Sequence, residues 1–369
     1  MKLLYIANSR LPTDSAHGVQ IVKMCESFAK AGAEVTLVHS WRINRHAGDI
    51  FGRYKVEKNF KIVTLPSLDT TILGRFGFWV QTLSFSKVLF IYLLFHRFDV
   101  MYSRDEFPLY IASLISRRVF WEPHTGRYNR LVIKLLQRIA GLIVITEGGK
   151  DFYVSQGVPK EKIHVAPDAV ALEDFARPQS KDESRRRLAL PLDKKIALYI
   201  GKFDSWKGVE TLCAASEYVT HDVVVALIGG EPGENAVLKA RYPKCIYLGW
   251  RPYDELADNQ AAADVLVLPN SAKSEISTRF TSPLKLFTYM ASGIPIVSSD
   301  LPSIREIVSE RDTFFFRPDD AKDLASRIEY VLSHSEEAKE KAREAKQKVQ
   351  QYTWQERARK ILASILEHV

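Results

Sequence analysis

Residues 194–210 read KKIALYIGKFDSWKGVE. The apolar run Ile196–Ile200 is continuous rather than alternating, as a parallel strand buried on both faces should be. It stops at Gly201, where the backbone can turn, and Gly208 leads into a helix-length segment. Two cations, Lys202 and Lys207, sit on this strand-to-helix loop. Lysines near a helix N-terminus repel each other and the helix dipole unless an anion is present. Open α/β sheets bind ligands at the carboxyl ends of their strands, so this loop fixes the class and points to a phosphate-bearing ligand.

Similar runs occur on both sides. In the first half they are Leu3–Asn8, Val35–Ser40, Lys61–Leu65, Val100–Ser103, Val119–Glu122, Leu142–Thr146 and Ile163–Ala166. In the second half they are Ile196–Ile200, Val223–Ile228, Cys245–Leu248, Val265–Leu268, Pro295–Ser298 and Thr313–Phe316. Helix-length segments separate them. Two successive β/α series mean two doubly wound parallel sheets, an α/β chain of two Rossmann-like domains. The polar stretch Ala176–Arg187 reads as a linker plus the start of a helix. The end of the chain reads as a charged helix Glu336–Gln350, a break at Tyr352-Thr353, and a last helix Trp354–His368. In that helix Trp354, Ala358, Ile361, Ile365 and Leu366 share a face. Thr353 and Glu356 have the spacing of a capping box.

The bulk properties agree. A length of 369 residues suits two domains, and 26% charged residues suit a soluble chain. Cys25, Cys213 and Cys245 have no metal-ligand spacing and suit a reducing cytoplasm. The first apolar run is too short for a signal peptide. Residues 1–175 hold 23 Lys/Arg against 16 Asp/Glu, whereas residues 176–369 hold 29 against 28. The positive field therefore belongs to the first half and favours an anionic partner, unless it is simply a solvated surface. No strand is followed by G-x-G-x-x-G, which argues against a dinucleotide oxidoreductase. No nucleic-acid-binding module is recognisable, and none is expected.

A second phosphate seat is written at Thr281–Gly293, TSPLKLFTYMASG. Ser282 reads as an N-cap, Pro283 as the first helical residue and Gly293 as the left-handed stop. The free amides at the start of this helix attract anions, and Lys285 in its first turn is favourable only beside one. A well-capped helix with an exposed lysine has the same local pattern.

These residues resemble the family-4 retaining glycosyltransferases. The resemblance is carried by Gly201-Lys202…Lys207-Gly208, by Thr281–Gly293 followed by Ile294-Pro295-Ile296-Val297, and by Ile163–Asp168. The Ser15-Ala16-His17-Gly18-Val19-Gln20 segment, Trp121-Glu122-Pro123-His124 and Tyr352-Thr353-Trp354 complete it, in the family's order. It implies a glycosyltransferase B-type fold, with two facing domains and a last helix that crosses back to the first. The boundaries then expected are 1–175 plus 352–369 for an acceptor domain and 185–351 for a nucleotide-sugar domain. Carried over, Lys202 and Lys207 neutralise the donor diphosphate, with Gly201 at the turn. The amides around Ser282, Pro283 and Leu284 hold the distal phosphate, with Lys285 beside them. Arg251 lies near the base, Gly18 lets the first-domain loop approach the phosphates, and His124 touches the donor sugar. From their place at strand ends, Arg104 and Glu122 are acceptor-side candidates, and a surface ion pair is the alternative for both. The family's two glutamates eight residues apart are here Phe280 and Thr288. A threonine bonds one ribose hydroxyl where a carboxylate accepts two charge-assisted bonds, so a weaker donor grip is expected.

The expected reaction is transfer from a UDP- or GDP-sugar to a glycan or lipid-linked acceptor with retention of configuration. No cofactor beyond that co-substrate is expected. No Asp-x-Asp motif occurs, so no metal site is expected. A non-catalytic nucleotide-sugar binder, or an epimerase or phosphorylase on the same fold, are the alternatives. Residues 76–95, FGFWVQTLSFSKVLFIYLLF, are about long enough to span a bilayer yet contain Gln81 and Lys87. A helix packed on the first domain is the first reading. A helix at the membrane interface is the second, which makes the inner membrane face a candidate location and an anionic membrane surface a candidate partner.

Overall fold

The computed structural model describes residues 1–13, 16–44 and 48–368. Ser15, named above, lies outside them. The chain divides into two compact units, Met1–Pro167 with Trp354–Val369, and Asp168–Thr353.

The first unit holds seven strands: β1 (Lys2–Ala7), β2 (Glu34–Ser40), β3 (Lys61–Leu65), β4 (Val100–Ser103), β5 (Val119–Trp121), β6 (Gly141–Val144) and β7 (Ile163–Val165). They pair in parallel in the order β3-β2-β1-β4-β5-β6-β7. The second unit holds β8 (Lys195–Ile200), β9 (Val223–Ile228), β10 (Ile246–Tyr247), β11 (Val265–Leu268), β12 (Ile296–Ser299) and β13 (Phe314–Phe316). These are also parallel, in the order β10-β9-β8-β11-β12-β13. Each sheet reverses its winding once, between β1 and β4 and between β8 and β11. Those switch points open a crevice beyond the strand ends.

Burial on both faces explains the unbroken apolar runs. In β8, Ile196 and Leu198 enter one core cluster while Ala197 and Tyr199 enter the other. In β11, Leu266 and Leu268 divide from Val265 and Val267 in the same way. The second unit begins earlier than the expected linker. Val170 and Phe175 are part of its core, and the Val170 amide donates to Tyr352 O at 3.0 Å. The polar stretch that follows forms a short helix, Lys181–Arg187, closed by a capping box between Ser180 and Glu183.

The last helix, Trp354–Leu366, belongs to the first unit and packs on the Ala16–Lys30 helix. Trp354, Ala358, Ile361 and Ile365 are buried as expected, whereas Leu366 is exposed because it turns past the contact face.

Residues Gly74–Phe95 form one helix connecting β3 to β4. Its inward stripe, Gly77, Gln81, Phe85, Leu89 and Leu93, recurs every fourth residue and joins the core under the sheet. Thr82 and Ser86 are buried beside it. Leu89 is fully buried and Leu83 is 51% exposed on the other side. Leu89→Ala is therefore expected to cost about 2–5 kcal/mol through its cavity, and Leu83→Ala about 0.5 kcal/mol or less. Urea unfolding of the two variants checks this, and equal losses would contradict the burial.

Candidate functional site

In the second unit the chain leaves β8 through Gly201 at φ +151° and turns through Ser205–Lys207 to Gly208 at φ +63°. A Cβ on Gly208 would stand 1.8 Å from Pro269 O, so only glycine lets this loop lie against the loop after β11. The Ser271 amide donates to Trp206 O at 2.9 Å and ties the same two loops together. The loops facing the switch point are thereby locked to each other.

Three lysines crowd this place. Lys207 pairs with Asp204 at 2.6 Å. The Lys285 amine donates to Tyr199 Oη at 2.6 Å and lies 3.9 Å from the centre of that ring. The Tyr199 hydroxyl in turn donates to Lys202 O at 2.7 Å. Burial raises the Asp204 pKa, but Lys207 first, then Lys202 and Lys285, bring it below the usual carboxylate range. Burial, reinforced by the Lys207 charge, holds Lys285 well below an ordinary lysine. One carboxylate thus faces three potential cations.

The helix Leu284–Ser292 starts beside them. Its N-cap residue is Pro283, with no side-chain cap, rather than Ser282. The Ser282 hydroxyl is engaged elsewhere, accepting the Asp168 amide at 2.9 Å. The first turn therefore lacks a side-chain acceptor, which leaves its dipole end suited to an anion. Gly293 ends the helix at φ +73°, as expected.

Thr288 does not offer a free hydroxyl. It is buried, accepts from Gln260 Nε2 at 3.0 Å and donates to Lys285 O at 3.0 Å. Both bonds are internal to the second unit. Phe280 is buried as well, and Arg251 is exposed on the loop after β10. Among the described residues, no group of three or more His, Cys, Asp or Glu side chains is placed to hold a metal ion.

The first unit gathers a second polar cluster at the ends of β1, β4 and β5. Glu122 is fully buried. It accepts from Gln20 Nε2 at 3.0 Å, His124 Nε2 at 2.7 Å, Arg357 Nη2 at 2.8 Å and the Tyr102 hydroxyl. Burial pushes its pKa up, but Arg357, then His124 and Arg104, hold it well below the usual range. Glu122 was expected on the acceptor side. It is fully buried and takes four donors from its own unit, so it holds its neighbours in place. Arg104, half-buried, donates to Gln20 Oε1. His17 meets Ser9 Oγ at 2.7 Å. Gly18 lies in the Ala16–Lys30 helix, where a Cβ would clash with Thr13 Cγ2 at 2.4 Å and Tyr54 Oη at 2.5 Å. Packing within the unit already requires glycine there. Gln20, Tyr102, His17 and Arg357 were not singled out from the sequence as site residues.

Burial first, then Arg104, lowers the His124 pKa to about 4, although Glu122 opposes this. The neutral ring donates through Nε2 to Glu122, leaving Nδ1 as the acceptor. A histidine with a depressed pKa stabilises the fold above its unfolded value of about 6.5 and loses that contribution as the pH falls. Glu122, also depressed, adds the same sign at lower pH. Acidification from pH 7 to 4 is expected to remove about 3 kcal/mol through His124. Denaturant unfolding across that range should show a shallower fall for His124→Asn. Identical slopes for both proteins would contradict the assignment.

Residues 17–174 match the family model for Glycosyltransferase Family 4, and residues 194–334 match that for Glycosyl transferases group 1. The chain is 24% identical over 222 residues to the putative teichuronic acid biosynthesis glycosyltransferase TuaC of Bacillus subtilis, covering 59% of this chain and 54% of TuaC. It is 27% identical over 176 residues to the D-inositol 3-phosphate glycosyltransferase of Xylanimonas cellulosilytica, covering 44% and 40%. The matches thus span about half the length of these curated relatives. Sucrose-phosphate synthase from Thermosynechococcus elongatus has a similar fold, with a TM-score of 0.81 at 18% identity over 99% of this chain and 98% of that one. HepE of Anabaena in complex with UDP-glucose gives 0.76 at 15% identity over 100% of both. The fold, the two glycine-bounded loops and both matched segments agree, and the chain belongs to the family-4 glycosyltransferases of the B-type fold.

Proposed function

We propose that this chain is a retaining, metal-independent glycosyltransferase that moves a sugar from a UDP- or GDP-sugar to a glycan or lipid-linked acceptor. The observation that carries the reading is the crowding of Lys202, Lys207 and Lys285 around Asp204, beside a helix start without a side-chain cap. Breaking the bond between the sugar's anomeric carbon and phosphate leaves negative charge on the diphosphate. Fixed cations and helix amides stabilise that charge. The acceptor oxygen bonds to the anomeric carbon on the face the phosphate leaves, and the acceptor's proton passes to the departing phosphate. No protein base is needed for that step. His124 is a positioning group, its Nδ1 accepting from a sugar hydroxyl, and Arg251 lies toward the base. HepE, with UDP-glucose bound, supports a nucleotide-sugar donor by analogy of fold. The three buried free cysteines suit a cytoplasmic location.

The engagement of Thr288 by Gln260 favours one other reading, a relative that binds nucleotide sugar without turning it over. Thermal unfolding against a panel of UDP, GDP and their sugars, repeated with Lys207→Ala, tests the donor seat. Ligand at about 100 times its dissociation constant stabilises the folded state by about 2.7 kcal/mol. A rise in melting temperature with one base, lost in Lys207→Ala, is expected. No rise with any ligand would remove the proposal. A rise together with no sugar release or transfer to any acceptor would favour the binding reading.

A further inference from the structure

The Gly74–Phe95 helix is apolar on its outer face as well as at Phe85, Leu89 and Leu93 on its inner one. The polar residues Gln81 and Thr82 lie on its buried side. Gln81 donates to Asn8 Oδ1 at 2.8 Å and accepts from Arg42 Nη2 at 2.7 Å, and Thr82 accepts from Asn8 Nδ2 at 3.0 Å. Its outward stripe is Phe76, Trp79, Leu83, Lys87, Ile91 and Leu94, spaced three or four residues apart. Phe76 is 73% exposed and Leu94 58%. The turn before the helix adds Ile72, 93% exposed. A contiguous apolar surface of this kind on a soluble chain marks an interaction site. The segment Thr71–Phe95 passes the length and composition test for a membrane span, but its buried Gln81 is bonded to the sheet unit. The helix therefore cannot leave the unit to cross a bilayer without breaking those bonds.

Charge selects the occupant. Residues 70–98 contain Arg75, Lys87 and Arg97 and no aspartate or glutamate. A second copy of the chain seated on this stripe would bury Lys87 against apolar side chains, with no carboxylate from the same segment to pair with it. At a bilayer surface, Lys87 extends its amine to the headgroups while its stem lies among the apolar side chains. Anionic headgroups then complement all three cations. The basic excess of residues 1–175 adds a longer-range attraction of the same sign.

We infer that the outer face of this helix docks the protein on an anionic membrane, with Phe76, Trp79, Leu83 and Leu94 entering the headgroup boundary and Arg75, Lys87 and Arg97 meeting lipid phosphates. The inference does not depend on the donor reading.

Co-sedimentation of the full chain with vesicles tests it, using phosphatidylcholine alone and phosphatidylcholine with one-third phosphatidylglycerol. Binding is expected to the anionic vesicles, weakened at least tenfold on neutral ones and reduced by high salt. Phe76→Asp with Leu83→Asp should lower anionic-vesicle binding at least tenfold while leaving the melting temperature and any nucleotide-induced shift unchanged. Lys87→Glu should lower it severalfold and serves if the double variant is unstable. Failure of the wild type to sediment with anionic vesicles would overturn the inference. So would light scattering that shows a dimer dispersed by the double variant, since a second copy would then occupy the stripe.

Discussion

Lys202, Lys207 and Lys285 face a single carboxylate, Asp204, at the end of β8. Like charges this close are tolerated only where one loses its proton or an anion joins them. The local structure enforces the crowding. Gly208 lies so near Pro269 O that no side chain fits, and Tyr199 fixes the Lys285 amine from below. The loops cannot relax the repulsion by moving apart without breaking the sheet's switch-point packing. In the function proposed above, a diphosphate supplies that anion and becomes more negative as its sugar departs.

The first unit handles charge in the opposite manner. Glu122 is a buried carboxylate with a full set of donors, and the cluster is closed by Arg357 from the end of the chain. Arg357 also donates to Pro167 O and Ala166 O, so its guanidinium joins the last helix to the strand β7 exit. A buried pair of this kind is weak evidence for net stability, but removing either partner leaves a charge stranded. Its service here is orientation. A carboxylate held from several sides fixes the His124 ring and its tautomer, and leaves Nδ1 as its acceptor.

The strands among the described residues were legible as apolar runs, and the central ones, buried on both faces, need unbroken hydrophobicity where the helices between them do not. The glycine-lysine loop and the Leu284–Ser292 helix were legible for the same local reason. What escaped the sequence was made by distance. Ser282 has the spacing of an N-cap, yet its hydroxyl meets the Asp168 amide, 114 residues away. Nothing local marks Arg357 on the last helix, and its partner lies 235 residues away. Thr288 accepts from Gln260, 28 residues away, which no local pattern indicates. The Gly74–Phe95 helix is apolar on most sides, so its sequence could not say which stripe faced the sheet. Gln81 and Thr82 would ordinarily mark the solvent side, and Asn8 and Arg42 make them the inner one.

The most direct test of the central claim is calorimetric titration of UDP and GDP at pH 8 in buffers of different ionisation enthalpy, with wild type and Lys285→Met. Lys285 starts with its protonated form disfavoured by burial and by Lys207. An incoming diphosphate reverses that balance. Net proton uptake is expected with the nucleotide that binds, and none in the variant. Binding with no proton exchange in either protein, or uptake unchanged by Lys285→Met, would contradict it.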